Sequence, residues 1–124
     1  HLSIRRQRQM CIRDRYKLIE IFTNLIDNAI KYSDKNKEVS ITFKKEGDSN
    51  IVSVADQGIG IPKESIHRIT ERFFTVDPSK SRSVGGTGLG LAIVKHLVSQ
   101  HRAEMDINSI ENQGTTIDIK FNAL

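Results

Sequence analysis

Three short islands rich in polar residues and glycine constrain the fold of this chain more than any other feature. They are Asn24–Tyr32, Asp56–Gly60 and Gly85–Leu91, in that order. The first carries amides and a lysine, the second an aspartate before two glycines, and the third a glycine loop. A chain of 124 residues has room for one domain with one modest core. The three islands must therefore belong to a single folded unit.

Hydrophobic periodicity predicts helices and strands around these islands. In residues 16–32, apolar residues recur at intervals of three, four and seven, which predicts an amphipathic helix with Ile19 and Ile30 in its apolar stripe. The rest of the pattern predicts, in order, a hairpin of 38–45 and 50–55, a short helix from Pro62 to about Phe73, a helix over 88–100, and strands over 104–110 and 115–121.

These elements predict the α+β class. We expect a two-layer α/β sandwich in which a mixed, largely antiparallel sheet carries about three helices on one face. Residues 74–87 show no periodicity and contain Pro78, Gly85 and Gly86. A loop of this length in a small domain is usually functional or disordered.

The basic charge is confined to the first residues. Residues 1–15 contain five arginines and one acid, Asp14, and the rest of the chain balances its charges, so this segment accounts for the net charge of +4. We interpret residues 1–15 as a non-native or disordered segment, because a nucleic-acid-binding domain keeps its basic residues on the fold. The alternative is a nucleic-acid arm. We expect no nucleic-acid partner.

Two further features bear on the compartment. No apolar run approaches the roughly 20 residues of a membrane span, and no signal peptide is evident. The single Cys11 cannot form an internal disulfide, which fits a reducing compartment. We therefore expect a cytoplasmic domain without membrane contact.

The glycine loop does not match the two best-known phosphate-binding motifs. A P-loop needs Lys and then Ser or Thr after its second glycine, but Leu91 and Ala92 follow Gly90. A dinucleotide fingerprint needs another glycine and a preceding strand. What remains is a loop whose backbone amides face an anion at the start of a helix. The alternative is a flexible hinge.

Polar residues of the first two islands suggest a nucleotide site. Asn24, Asn28 and Lys31 fall at i, i+4 and i+7, so they share one helix face. Their amide oxygens and ammonium suit magnesium and its phosphates, and the alternative is a solvated face. Asp56, at a strand end before Gly58 and Gly60, can accept a hydrogen bond from the adenine amine, and the alternative is a turn aspartate.

At this point the chain resembles a known family over about residues 16–124. Asn24–Tyr32 is similar to the N box, Asp56–Gly60 to the G1 box, Glu71–Phe74 to the F box and Gly85–Leu91 to the G2 box of the catalytic ATP-binding domain of sensor histidine kinases. The wider superfamily includes gyrase, Hsp90 and MutL. The resemblance implies a Bergerat fold with ATP and Mg²⁺ between its helical layer and a flexible lid over about residues 72–87.

The resemblance also implies a role for each matching residue. Asn28 would be the main magnesium ligand with Asn24 supporting it, Lys31 would meet phosphate, and Tyr32 would lie against the base. Asp56 would bond the adenine amine. The other nucleotide-binding residues implied are Gly58, Gly60, Ile61, Lys80, Arg82, Gly86, Thr87, Gly88, Leu89 and Gly90, and those assigned to catalysis are Asn24, Lys31 and Arg72. Arg72, Lys80 or Arg82 would reach the γ-phosphate.

Asn24 favours transfer of phosphate over hydrolysis. In the hydrolysing branches a glutamate that activates water stands four residues before the magnesium asparagine, and an amide cannot act as a general base. The resemblance implies transfer to a histidine on a separate dimerisation domain, because no histidine here has the phosphoacceptor context. It also implies a response regulator downstream and a homodimeric parent that can be membrane-anchored. The alternative is a degenerate nucleotide-binding module without kinase activity.

Four residues depart from the family pattern. Thr70 stands where Phe is usual and Thr75 where Arg is frequent, which predicts weaker packing of the lid. Arg102 and Ala103 replace a pair of glycines and leave the geometry of that turn open.

Overall fold

The computed structural model describes residues 2–33, 36–75 and 89–122, with side chains from Arg15 onward. The described elements are two helices, four strands and one 3₁₀ turn. In chain order they are α1 (Leu2–Lys31), β1 (Val39–Glu46), β2 (Ser49–Asp56), the 3₁₀ turn (Lys63–Ser65), α2 (Gly90–Gln100), β3 (Ala103–Ile110) and β4 (Gly114–Phe121).

The four strands form one sheet in the order β1-β2-β4-β3. Every pairing in it is antiparallel. The expectation of a mixed sheet is therefore wrong for the described strands, although the α+β class and the two-layer arrangement are confirmed. The predicted hairpin is confirmed too, and Glu46 pairs with Ser49 across a two-residue loop.

The core lies between the sheet and the two helices. Helix α1 contributes Ile21, Leu25 and Ala29, all at most 2% exposed. Val54 of β2 pairs with Ile117 of β4, so both point to the same face and into the same cluster. Helix α2 adds Leu91, Val94, Leu97 and Val98. This packing sets α1 and α2 side by side above the sheet.

Some residues of the predicted apolar faces lie outside this core. Ile19 and Ile30 of α1 are 55% and 59% exposed, and Ile41 and Phe43 of β1 are 56% and 69% exposed. Ile41 pairs with Val54, so it faces the helical layer, yet β1 is the edge strand and the helices do not cover it. Periodicity identifies the apolar face of an element but not how far its neighbours extend.

The expected short helix from Pro62 to Phe73 is absent, so the described chain has two helices and not three. Its place is taken by consecutive turns, in which the N–H groups of Ser65, Arg68 and Glu71 each donate to the carbonyl three residues earlier. Bonds of this i to i+3 type close 3₁₀ turns. A segment this short gains too few i to i+4 bonds to offset the cost of nucleating an α-helix.

Helix α1 ends at Lys31, close to its predicted end at residue 32, but its backbone is already helical at Leu2. Our interpretation of residues 1–15 as a non-native or disordered segment stays a prediction. In the described part of the chain, no helix combines the length and the apolar character needed to cross a membrane. Residues 76–87, which are most of the predicted lid, lie outside the described residues.

The turn before β3 has a backbone that suits the glycines of the family pattern. Arg102 has φ +52°, in the left-handed region that is unfavourable for a side chain with a Cβ. We expect Arg102→Gly to raise the free energy of unfolding by about 0.5–1 kcal/mol, and Arg102→Ala to give no gain. Urea denaturation measures both variants. An unchanged or lower midpoint for Arg102→Gly would show that the backbone at this turn is not strained.

Candidate functional site

A pocket of about 290 Å³ lies between the helical layer and one end of the sheet. Residues of α1, the segment after β2, the start of α2 and the start of β4 line it. The predicted site residues that it brings together are Asn24, Asn28, Lys31, Tyr32, Asp56, Gly60, Ile61, Leu89 and Gly90. Residues from all three sequence islands therefore meet in one cavity.

The polar face of α1 presents amide oxygen to this pocket. The side-chain nitrogen Nδ2 of Asn24 donates to the carbonyl of Glu20 at 2.8 Å, one turn earlier in the helix. This bond assigns the other side-chain atom, Oδ1, as the group that lies toward Gly90 at the start of α2. Asn28 lies one turn further along the same helix face, so both amide side chains lie on the same wall of the pocket.

Lys31 forms an ion pair with Asp27, which was not among the predicted site residues. Its Nζ lies 2.9 Å from Oδ2 of Asp27, and both side chains line the pocket. The Asp27 side chain is 57% exposed, and exposed ion pairs of this kind contribute little to stability. Lys31 can therefore exchange this partner for a more highly charged anion. The i, i+4 spacing of Asp27 and Lys31 in the sequence could have predicted this ion pair.

Asp56 is the last residue of β2 and lines the pocket. Its Oδ1 accepts hydrogen bonds from the backbone N–H of Gly58 at 2.9 Å and of Thr115 at 3.3 Å. Within the described residues the structure gives Oδ2 no hydrogen-bond partner. Burial raises the pKa of the Asp56 carboxyl, and the two N–H donors act against this rise. The site thus holds a half-buried carboxylate with one oxygen fixed and one available.

The raised pKa of Asp56 predicts a pH dependence of ligand binding. As pH falls through the raised pKa, the carboxyl gains a proton and loses its ability to accept from a ligand amine at Oδ2. We expect affinity for an adenine nucleotide to fall over this range, and the affinity of Asp56→Asn to be low and flat. Calorimetric titrations at successive pH values measure both, and parallel pH profiles of the two proteins would contradict the assignment.

The raised pKa of Asp56 also determines how its contribution to folding stability changes with pH. The folded protein binds this proton more tightly than the unfolded chain does, since the pKa is raised above 3.8 in the folded state. The stabilising contribution of Asp56 is therefore present at low pH and is lost as pH rises through its folded-state pKa.

The two glycines of the second island are required by close packing of the protein on itself. A Cβ added at Gly58 would collide with the carbonyl of Tyr32, and one added at Gly60, which has φ +69°, would collide with the carbonyl of Ile110. Gly58 is not among the residues that line the pocket. Its role in shaping the pocket is indirect, because it lets the turn approach the end of α1.

The pocket is also lined by apolar residues that were not among the predicted site residues. They are Ile59, Ile69, Phe74, Leu91, Ile93 and Ile117. Thr115 was missed as well, although it is only 8% exposed and precedes Ile117 and Ile119 on the core face of β4. A polar residue on the buried face of a strand is the signal that could have found it.

Arg72, predicted to reach phosphate, is exposed and does not line the pocket. The other predicted site residues lie outside the described part of the chain, and these are Lys80, Arg82, Gly86, Thr87 and Gly88. Their predicted contacts with phosphate stay predictions.

Comparisons with known proteins agree with this fold. The family model described as histidine kinase-, DNA gyrase B- and HSP90-like ATPase matches residues 13–123. Sensor histidine kinase WalK of Bacillus subtilis is 43% identical over 106 residues, which is 84% of this chain and 17% of WalK. The phosphate regulon sensor protein PhoR of Pseudomonas aeruginosa is 42% identical over 85% of this chain and 24% of PhoR.

Solved structures show the same similarity. The mycobacterial sensor histidine kinase MprB has a TM-score of 0.73 at 32% identity, covering 86% of this chain and 70% of that one. The catalytic domain of histidine kinase ThkA has a TM-score of 0.73 at 29% identity, covering 88% of this chain and 68% of that one.

A match over nearly the whole chain defines its class. The chain belongs to the family of histidine kinase-, DNA gyrase B- and HSP90-like ATPases, and its relatives place it as the catalytic ATP-binding domain of a sensor histidine kinase. The resemblance inferred from the four sequence boxes is therefore confirmed. The chain spans only 17% to 24% of the length of WalK and PhoR.

Proposed function

We propose that this chain binds ATP with Mg²⁺ and donates the γ-phosphoryl group to a histidine on a separate dimerisation domain. The observation that carries the proposal is one pocket lined both by the Asp56 carboxylate and by the polar face of α1. A carboxylate with a free oxygen suits an amine of a base. Amide oxygens with an exchangeable ammonium suit a metal and its phosphates.

At the base end, Oδ2 of Asp56 accepts from the adenine amine, and Tyr32 with apolar residues such as Ile59 and Ile61 contacts the ring. Shape and apolar surface provide most of the contact area in sites of this kind, and a few polar groups fix the orientation. Asp56 is the group here that distinguishes an amine from a carbonyl on the base.

At the phosphate end, Asn28 and Asn24 would hold the magnesium ion. The donor set fits a hard cation, because the Asn24 nitrogen is bonded to Glu20 and its oxygen remains. Magnesium supplies charge neutralisation to the phosphates when bound. Lys31 would leave Asp27 and supply positive charge to the phosphates. The first residues of α2, which follow the glycine loop, would supply backbone N–H groups.

Transfer is favoured over hydrolysis by the residue at position 24. An asparagine there cannot remove a proton from water at neutral pH. The phosphoryl group is then available for a protein acceptor. We propose that residues 16–124 are the catalytic domain, that the acceptor domain belongs to the same homodimeric and membrane-anchored kinase, and that a response regulator receives the phosphate.

A chimera tests this proposal. Residues 16–124 replace the matching region of Bacillus subtilis WalK, and the purified protein is incubated with γ-³²P-labelled ATP and Mg²⁺. We expect an acid-labile, alkali-stable label of phosphohistidine, and no label for the chimera with Asn28→Ala. A folded chimera that binds ATP without becoming labelled would contradict the proposal and favour a nucleotide-binding module without kinase activity.

A further inference from the structure

The hydroxyl of Ser109 connects β3 with two segments that contribute Ile61 and Thr115 to the pocket lining. Ser109 lies in β3 and does not itself line the pocket. Its Oγ accepts from the backbone N–H of Ile61 at 2.7 Å, lies 3.0 Å from the carbonyl of Gly114, and lies 2.8 Å from the hydroxyl of Thr115. The hydroxyl is therefore shared by Ile61, which follows Gly60, and by Gly114 and Thr115, the first two residues of β4.

The chemistry of these partners fixes where each proton lies. A backbone N–H can only donate and a carbonyl can only accept, whereas a serine hydroxyl has one proton and two acceptor lone pairs. All three hydrogen bonds form together only if Ser109 donates to Gly114. The bond between Ser109 and Thr115 must then be donated by the Thr115 hydroxyl.

This arrangement determines the polarity of the pocket wall. Thr115 lines the pocket beside Asp56, and its backbone N–H donates to Oδ1 of that residue. With its hydroxyl proton directed to Ser109, Thr115 offers only lone pairs at its Oγ1. Asp56 and Thr115 thus both offer acceptor atoms at this end of the pocket.

We propose that Ser109 is a positioning residue for base selection: it holds the Thr115 hydroxyl proton away from the pocket, so that the wall accepts an exocyclic amine and rejects a base carbonyl. This rests on the proposed binding of ATP. A carbonyl facing two acceptors is left without a partner, and sites that match hydrogen-bonding groups in this way discriminate strongly against analogues.

The test compares ATP with inosine triphosphate, which carries a carbonyl where ATP carries the amine. In Ser109→Ala, the Thr115 hydroxyl loses its acceptor and can rotate to donate into the pocket. We expect the ratio of the two dissociation constants, inosine triphosphate over ATP, to fall about tenfold in the full chain. Ser109→Thr retains the hydroxyl and should restore the ratio.

A matched control separates positioning from general stability. Ser53 also bonds through its hydroxyl within the sheet, to Asp118, so Ser53→Ala loses a strand hydrogen bond elsewhere and should leave the ratio unchanged. If Ser109→Ala fails to fold, Thr115→Val removes the same hydroxyl from the pocket side and should lower the ratio.

The outcomes distinguish this inference from the proposed function. A folded Ser109→Ala protein with an unchanged ratio overturns the inference, even if it binds both nucleotides more weakly, because that result describes a structural residue. For the fallback variant, an unchanged ratio in Thr115→Val does the same. A wild-type chain that binds neither nucleotide overturns the proposed function and the inference with it.

Discussion

Replacing Asp56 with asparagine is expected to weaken ATP binding about 100-fold and to shift base preference toward a carbonyl. The oxygen of the new amide would keep the bonds from Gly58 and Thr115, because those N–H groups need an acceptor. The amide nitrogen would then stand where Oδ2 stands now and would face the adenine amine, donor against donor. Hydrogen bonds to charged groups contribute about 1.5–3 kcal/mol, which corresponds to roughly 10- to 150-fold in affinity.

Calorimetric titration of the variant with ATP and with inosine triphosphate measures this effect. Asp48→Asn, in the exposed hairpin turn between β1 and β2, makes the same chemical change away from the pocket and should bind as the wild type does. Binding of ATP by Asp56→Asn at wild-type strength would remove Asp56 from base recognition and with it the orientation of the nucleotide proposed above.

Replacing Gly58 with alanine is expected to lower the free energy of unfolding by about 3 kcal/mol, or to prevent folding. The added Cβ would overlap the carbonyl oxygen and carbon of Tyr32, which are backbone atoms and cannot move independently of α1. The same carbonyl accepts the N–H of Ile59 at 3.3 Å, so relief of the overlap also breaks the bond between the turn and the helix.

Gly47 provides the matched control for this prediction. It has φ +59°, but a Cβ there would meet no atom within 4 Å. Gly47→Ala should therefore cost only the backbone strain of a left-handed alanine, about 1 kcal/mol. Urea denaturation measures the free energy of unfolding of both variants. Equal decreases for Gly58→Ala and Gly47→Ala would show that the contact of Gly58 with Tyr32 does not contribute to the loss of stability.

Much of the site could be predicted from the sequence because its polar groups lie in local patterns. The spacing of Asn24, Asn28 and Lys31 places them on one face of any helix. Asp56 follows an apolar strand and precedes two glycines, which marks a strand end at a turn. Each of these inferences depends on residues only a few positions apart, and the structure brings all four residues to one pocket.

The parts that could not be predicted depend on contacts between distant segments. Thr115 reaches Asp56 because β2 and β4 pair in one particular register, and Ser109 reaches Ile61 across 48 positions of sequence. Glycine is required at position 58 because the carbonyl of Tyr32 lies against it. The sequence suggested instead that the glycine makes room for a bound ligand. Exposure of Phe43 likewise follows from the place of β1 at the sheet edge, which strand alternation does not report.

The measurement that tests the central claim most directly is calorimetric titration of the full chain with a nonhydrolysable ATP analogue, with and without Mg²⁺, beside Asn28→Ala. We expect binding that magnesium strengthens in the wild type. In Asn28→Ala this gain should be lost. In metal sites generally, mutating a residue that only hydrogen-bonds to a ligand lowers metal affinity by roughly 10- to 100-fold, and loss of the ligand itself should cost at least as much. A folded wild-type chain that does not bind the analogue, or an Asn28→Ala variant with an undiminished response to magnesium, would contradict the site described above.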